Sequence, residues 1–132
     1  MPRYRAGVDR YTGKPLTGYA HMEQCVAFIV QSMKGDVVML YDLGCDVDRE
    51  IGRGMHRAML LSLYARMIGS IHKWEPEFRV RKIALVNMSR VGALAVAIDG
   101  LYYPEGRHGN YKLTEPATLN IPLIAANLRG AA

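Results

Sequence analysis

The stretch that most constrains this chain runs from Gly54 to Leu85. From Met55 onward the apolar residues Met55, Met59, Leu60, Leu63, Met67, Ile68, Ile71 and Trp74 recur at steps of three and four, as on a helix with one buried face. Arg57, Ser62, Arg66, Ser70 and Lys73 fall mostly on the other side. Pro76 has no amide hydrogen and pushes Glu75 toward extended geometry, so the helix stops near Trp74. Phe78-Arg79-Val80-Arg81 then alternates with the period of a strand. A buried helix, an acid-bearing corner and an arginine-rich strand must therefore follow one another directly.

The flanking segments fit around this unit. Met22, Cys25, Val26, Ile29, Val30 and Met33 predict a helix from about Tyr19 to Lys34, ended by Gly35. Val37-Val38-Met39-Leu40-Tyr41 has the length and β-branched start of a short strand, and residues 42–54 form a glycine-punctuated acidic loop. Past the corner, Phe78 and Val80 share one face but Ile83 and Leu85 share the other, a slip at Arg81-Lys82 that predicts a bulge. Residues 87–92 are turn-rich. Residues 93–99 return as a strand with Leu94, Val96 and Ile98 on one face and alanines on the other, so the two strands are expected to pair antiparallel. The alanine face leaves room for close packing.

Both ends are read as arms. Residues 1–18 carry Arg3, Arg5, Arg10 and Lys14 among glycines and Pro15, with no apolar period, and Tyr4, Val8, Tyr11 and Leu16 as isolated anchors. Beyond Tyr102-Tyr103-Pro104 the chain is broken by Gly106, Gly109, Pro116 and Pro122 yet stays apolar at Leu113, Leu119, Ile121, Leu123, Ile124 and Leu128. Such a tail is expected to be extended and docked, on its own domain or on a neighbour. The expected architecture is α+β: two main helices packed on a small, mostly antiparallel sheet. An arm over 1–18 precedes the domain at 19–105, and a second arm spans 106–132.

Composition narrows the function classes. At 132 residues, half of them hydrophobic, the chain is long enough for one domain with a real core. The apolar runs are too short for a membrane span, and no apolar stretch follows the charged start to make a secretion signal, so a cytoplasmic product is expected. Two cysteines, Cys25 and Cys45, are too few for a disulfide framework and read as reduced thiols. A net charge of +5 permits nucleic-acid contact, but the basic residues are scattered and few aromatics interleave with them. A specific nucleic-acid site is not expected, although a basic binding module stays open as an alternative.

Candidate chemistry is sparse. Glu75 and Glu77 could be the two acids of a muramidase, but two residues apart in an extended segment they point the same way and cannot easily flank a sugar bond. Asp46, Asp48 and Glu50 begin like a calcium loop, but Ile51 stands where glycine is needed and Arg57 where the bidentate acid is needed. His21 and Cys25 are four apart on a helix without a second ligand pair. No phosphate loop or nucleophile elbow appears, so neither cofactor nor metal is expected. A binding or assembly part is favoured over a catalyst. In that reading Glu75, held rigid between Trp74 and Pro76, is placed to pair with an arginine.

The leader Gly7-Val8-Asp9-Arg10-Tyr11-Thr12-Gly13-Lys14-Pro15-Leu16, the strand ending in Gly44, the long helix, Trp74-Glu75-Pro76 and the return ending Tyr102-Tyr103 together resemble the baseplate assembly protein W family, over roughly residues 7–105. That resemblance implies a non-enzymatic wedge component of a contractile phage tail or related injection device. Such a component joins baseplate core to tail and initiates the sheath by strand exchange. It implies tail sheath and baseplate wedge proteins as partners, tube or hub proteins as further neighbours, six copies around the tail axis, and a place in the virion tail after assembly in the host cytoplasm. Trp74, Glu75 and Pro76 would hold wedge partners. The strand with Leu94, Val96 and Ile98, Tyr102 and Tyr103, or the tail beyond Pro104, would meet the sheath. The family's Glu-Pro-Arg signature reads Glu75-Pro76-Glu77 here, and Arg79 or Arg81 could supply the cation instead.

Overall fold

A computed structural model describes residues 3–45, 56–88 and 94–122. Strand β1 (Ala6–Val8) pairs antiparallel with β2 (Pro15–Thr17), and helix α1 (Tyr19–Gln31) follows. Helix α2 (Arg57–Trp74) leads into β3 (Phe78–Met88) and β4 (Leu94–Tyr102). A single 3-10 turn (Gly106–His108) precedes β5 (Glu115–Pro122). β3, β4 and β5 form one antiparallel sheet in that order. The architecture is the expected α+β.

The helical period is realised on both helices. Met22, Val26, Ile29 and Val30 of α1 and Met59, Leu63, Met67 and Ile71 of α2 are buried. All of these but Met59 meet Phe78, Val96, Ile98 and Tyr102 from the sheet in one core. α2 is capped by His56, whose Nδ1 accepts the Met59 amide, and ends at Trp74, because Glu75 before Pro76 is extended (φ −120°, ψ 95°). The predicted phase slip is a register shift between Val80 and Lys82, which leaves Arg81 as the extra residue. A second shift lies between Leu85 and Asn87. The face of the sheet turned from the helices carries the half-buried Ala84, Ala95 and Ala97.

Several expectations are corrected. Val37–Tyr41 is a turn, not a strand. Its amides and carbonyls are used locally, with Leu40 N–H on Val37 O (3.2 Å) and Gly35 N–H on Tyr41 O (2.9 Å). α1 stops at Gln31, short of Lys34, because Ser32 turns extended and its carbonyl accepts the Cys45 amide (3.0 Å). The tail, expected to be extended and docked on its own domain or on a neighbour, is docked on its own domain as far as residue 122. Residues 115–122 add a strand to the domain's own sheet, and Ala117, Leu119 and Ile121 enter the core. Among the described residues β4 is therefore the middle strand, paired on both sides, and β3 and β5 are the edges. Of the loop acids, Asp46, Asp48 and Glu50 lie outside the described residues.

The leader motif is turn chemistry. Asp9 Oδ1 accepts the Tyr11 and Thr12 amides (2.8 and 3.4 Å), the Asp9 and Gly13 backbones close the loop, and Gly13 takes a left-handed φ of 75°. Those amides hold the Asp9 carboxyl below its ordinary range. The resulting hairpin lies on α1 so closely that a Cβ on Gly7 would stand 2.0 Å from His21 Nε2.

Candidate functional site

The corner after α2 is the most concentrated charge site among the described residues. Glu75 caps the helix end with its amide on Ile71 O (2.8 Å), and Pro76 turns the chain so that Glu77 precedes β3. Glu75 is 2% exposed and Glu77 fully buried. Two arginines from distant segments reach them. Arg5, just before β1, donates from Nη2 to Glu75 Oε2 at 2.7 Å, and its Nε lies 3.7 Å from Glu77 Oε2. Arg107, in the 3-10 turn, places Nε 3.7 Å from Glu77 Oε1. The turn seats against the corner because Gly106 has no side chain: a Cβ there would stand 2.8 Å from Pro76 O.

The two carboxylates are treated unequally. Glu75 has a short charge-assisted bond to Arg5, and its Oε1 also accepts the Glu77 amide (3.3 Å). Both carboxylate oxygens of Glu77 lack a hydrogen bond. Burial pushes the Glu77 carboxyl up, the arginines oppose that, and neighbouring Glu75 adds to it. Burial also works against the Arg5 cation, yet the bond and ion pair with Glu75 leave its pKa raised. Arg5 Nε donates to His21 Nδ1 at 3.1 Å, a contact that requires a neutral imidazole acceptor. Burial and the Arg5 charge hold His21 below its ordinary pKa. Cys25 Sγ lies 3.7 Å from the same nitrogen, and burial pushes its thiol up, so it is no ready nucleophile. Tyr102 is pushed up to about 12 by burial and the Glu77 charge.

Beside this network is an open cleft of about 480 Å³ between α1, the hairpin, the 40–43 turn and the corner. Among the described residues no group of three or more His, Cys, Asp or Glu could hold a metal ion, and no helix is long and apolar enough to cross a membrane.

Solved structures share this fold. A chain of the postcontracted pyocin R2 baseplate superimposes with a TM-score of 0.64 at 23% identity, over 74% of this chain and 98% of that one. A Geobacter sulfurreducens protein whose crystal structure bears the name tail lysozyme gives 0.59 at 16% identity, over 81% and 92%. A chain of the 6-fold symmetrised anti-feeding prophage baseplate gives 0.55 at 12% identity, over 94% and 87%. No family model matches the chain, and no curated protein matches it.

The structure redistributes the residues singled out in the sequence. Trp74, Glu75 and Pro76 do stand together, and Glu75 does pair with an arginine. That arginine is Arg5, seventy positions away, and not Arg79 or Arg81. Arg79 instead lies over the rings of Tyr103 and Tyr111, 6.0 and 5.3 Å from their centroids, and Arg81 is exposed at the bulge. Val96, Ile98 and Tyr102 point into the core, and Tyr103 half-emerges beside Tyr111. Leu94 starts β4 opposite Met88. The link of Arg5, His21 and Arg107 to the corner was missed, because no local spacing connects them to it.

Proposed function

We propose that this chain is a structural, non-catalytic component of a contractile-tail baseplate, joining the wedge and core to the tail and starting sheath polymerisation by β-strand exchange. The observation that carries the reading is the fold shared with a pyocin baseplate chain over nearly that chain's whole length. Among the described residues the sheet has the form that strand exchange needs, being open with β3 and β5 as its outer strands. Its guarded points are specific. The Val80 amide is taken by His72 Nε2 (3.0 Å), and Thr118 O accepts from Tyr19 Oη (3.0 Å). With β4 already paired on both sides, the exchanged element is the tail strand β5 or an added strand beside it. The partners in this reading are the sheath subunit, wedge proteins and tube or hub proteins, with six copies around the axis of a virion tail. Trp74, Glu75 and Pro76 act by fixing the hairpin and framing the cleft that wedge proteins meet.

The test is deletion of the chain from the particle that carries it, with electron microscopy of the products. Unsheathed tubes and incomplete baseplates, restored by the wild-type chain, are expected. Sheathed, contractile tails from the deletion would end the proposal.

A muramidase is the second reading, favoured by the name of the Geobacter neighbour. Both acids of the corner are buried and each lies against an arginine, so neither is a free carboxyl, although Glu75 borders the open cleft. Clearing of a peptidoglycan suspension by the wild-type chain, lost in Glu75→Gln, would establish that activity. A basic nucleic-acid module would show affinity falling steeply with salt in gel-shift titrations.

A further inference from the structure

The turn between α1 and Gly44 presents apolar side chains to water. Val38 is 79% and Met39 85% exposed, and Leu40 and Tyr41 are exposed beside them. The turn is nevertheless tightly fastened. Met33 N–H bonds Asp36 Oδ2 (3.0 Å), Leu43 N–H bonds Leu40 O (3.1 Å), Ser70 Oγ bonds Gly44 O (2.9 Å), and Met39 is held at a left-handed φ of 69°. A strained, ordered turn that shows its apolar residues to solvent is unfavourable unless a partner covers it. It also adjoins the 480 Å³ cleft, whose floor and walls include Phe28, Ile29, Leu40, Leu43 and Trp74. At the rim, the Arg10 guanidinium lies 5.5 Å from both the Tyr11 and the Phe28 ring centroids. Among the described residues it forms no ion pair, so it is positioned by stacking with its donors left for another molecule.

We infer that this cleft and turn form a docking site for a protein segment that places a large apolar side chain against Phe28, Leu40 and Trp74 and a neighbouring carboxylate on Arg10. The apolar lining sets the anchor, and the stacked cation sets the charge of the residue beside it. This surface is separate from the sheet edges, and the inference deepens the reading above, in which the cleft is the face that wedge proteins meet.

Selection from a randomised peptide library against the full chain, with counter-selection against Leu40→Asp, tests the site. Trp74 is the chain's single tryptophan and lines the cleft, so its fluorescence reads the binding of each winner. Winners are expected to pair a Leu, Phe, Trp or Met with an adjacent Asp or Glu, and to shift Trp74 emission saturably. Arg10→Glu should weaken them at least tenfold and accept Lys-bearing versions of the same peptides. Circular dichroism of both variants checks that the fold is kept. Failure to enrich peptides, winners without an acidic bias, or winners that bind Leu40→Asp equally well would each overturn the inference. Self-association through this face, seen as a dimer by sedimentation that Leu40→Asp dissolves, would replace the acidic segment with a second copy.

Discussion

Glu75 and Glu77 stand two positions apart and experience opposite environments. Glu75 is the buried half of a short charge-assisted pair, so Glu75→Gln removes the close counter-charge of half-buried Arg5 and leaves it only Glu77, 3.7 Å away. Hydrogen bonds to charged groups contribute roughly 1.5–3 kcal/mol, and about 2 kcal/mol of unfolding free energy should be lost, read as a lower urea midpoint. Glu77→Gln should lower the midpoint less than Glu75→Gln, because burial works against the Glu77 charge. The pH profile separates the two further. A carboxyl raised on folding means that the folded state binds more protons. The Glu77 contribution is thus greatest below the ordinary carboxylate pKa and is lost as pH climbs through the raised value. Glu77→Gln should remove that decline. His21 has the reverse sign: its folded pKa is lowered, so its contribution is present above the ordinary imidazole value and lost as pH falls through the lowered one. A urea-midpoint series from pH 4 to 8 should show that acid-side loss in the wild type and its absence in His21→Gln.

At the scale of elements, β5 is part of the fold and not an accessory to it. Leu119 is fully buried between the sheet and the helices, and Leu119→Ala should cost about 3 kcal/mol, the middle of the range for such core truncations. Removing residues from 115 onward should abolish cooperative unfolding, a loss that differential scanning calorimetry would show. How legible each element was follows from where its determinants lie. α2, the corner and β3 could be read because period, proline and alternation are local. The apolar character of β5 was visible, but its pairing was not, since that depends on register against β4. Val37–Tyr41 has strand-forming residues without a strand to pair with, so local preference misled. The hairpin's seat depends on Gly7 meeting His21, and the corner's cation on Arg5, contacts that no spacing along the chain encodes.

For the whole molecule, the core lies between two helices and one face of the sheet, while the hairpin is attached at the rim by Arg5, His21 and Gln24, whose Nε2 donates to Val8 O (3.0 Å). Its own side chains are mostly exposed, so amide exchange over Ala6–Thr17 should be faster than in α2 or β4, and faster still in Glu75→Gln. Equal protection in all three regions would show that the hairpin opens only with global unfolding. The Arg5–Glu75 bond has one more consequence, for the newborn polypeptide. Arg5 is synthesised seventy residues before Glu75, so the hairpin lacks its anchor at the corner during that interval. At that stage its exposed tyrosines and arginines are free to meet chaperones or neighbouring nascent chains, and translation past the corner ends that interval.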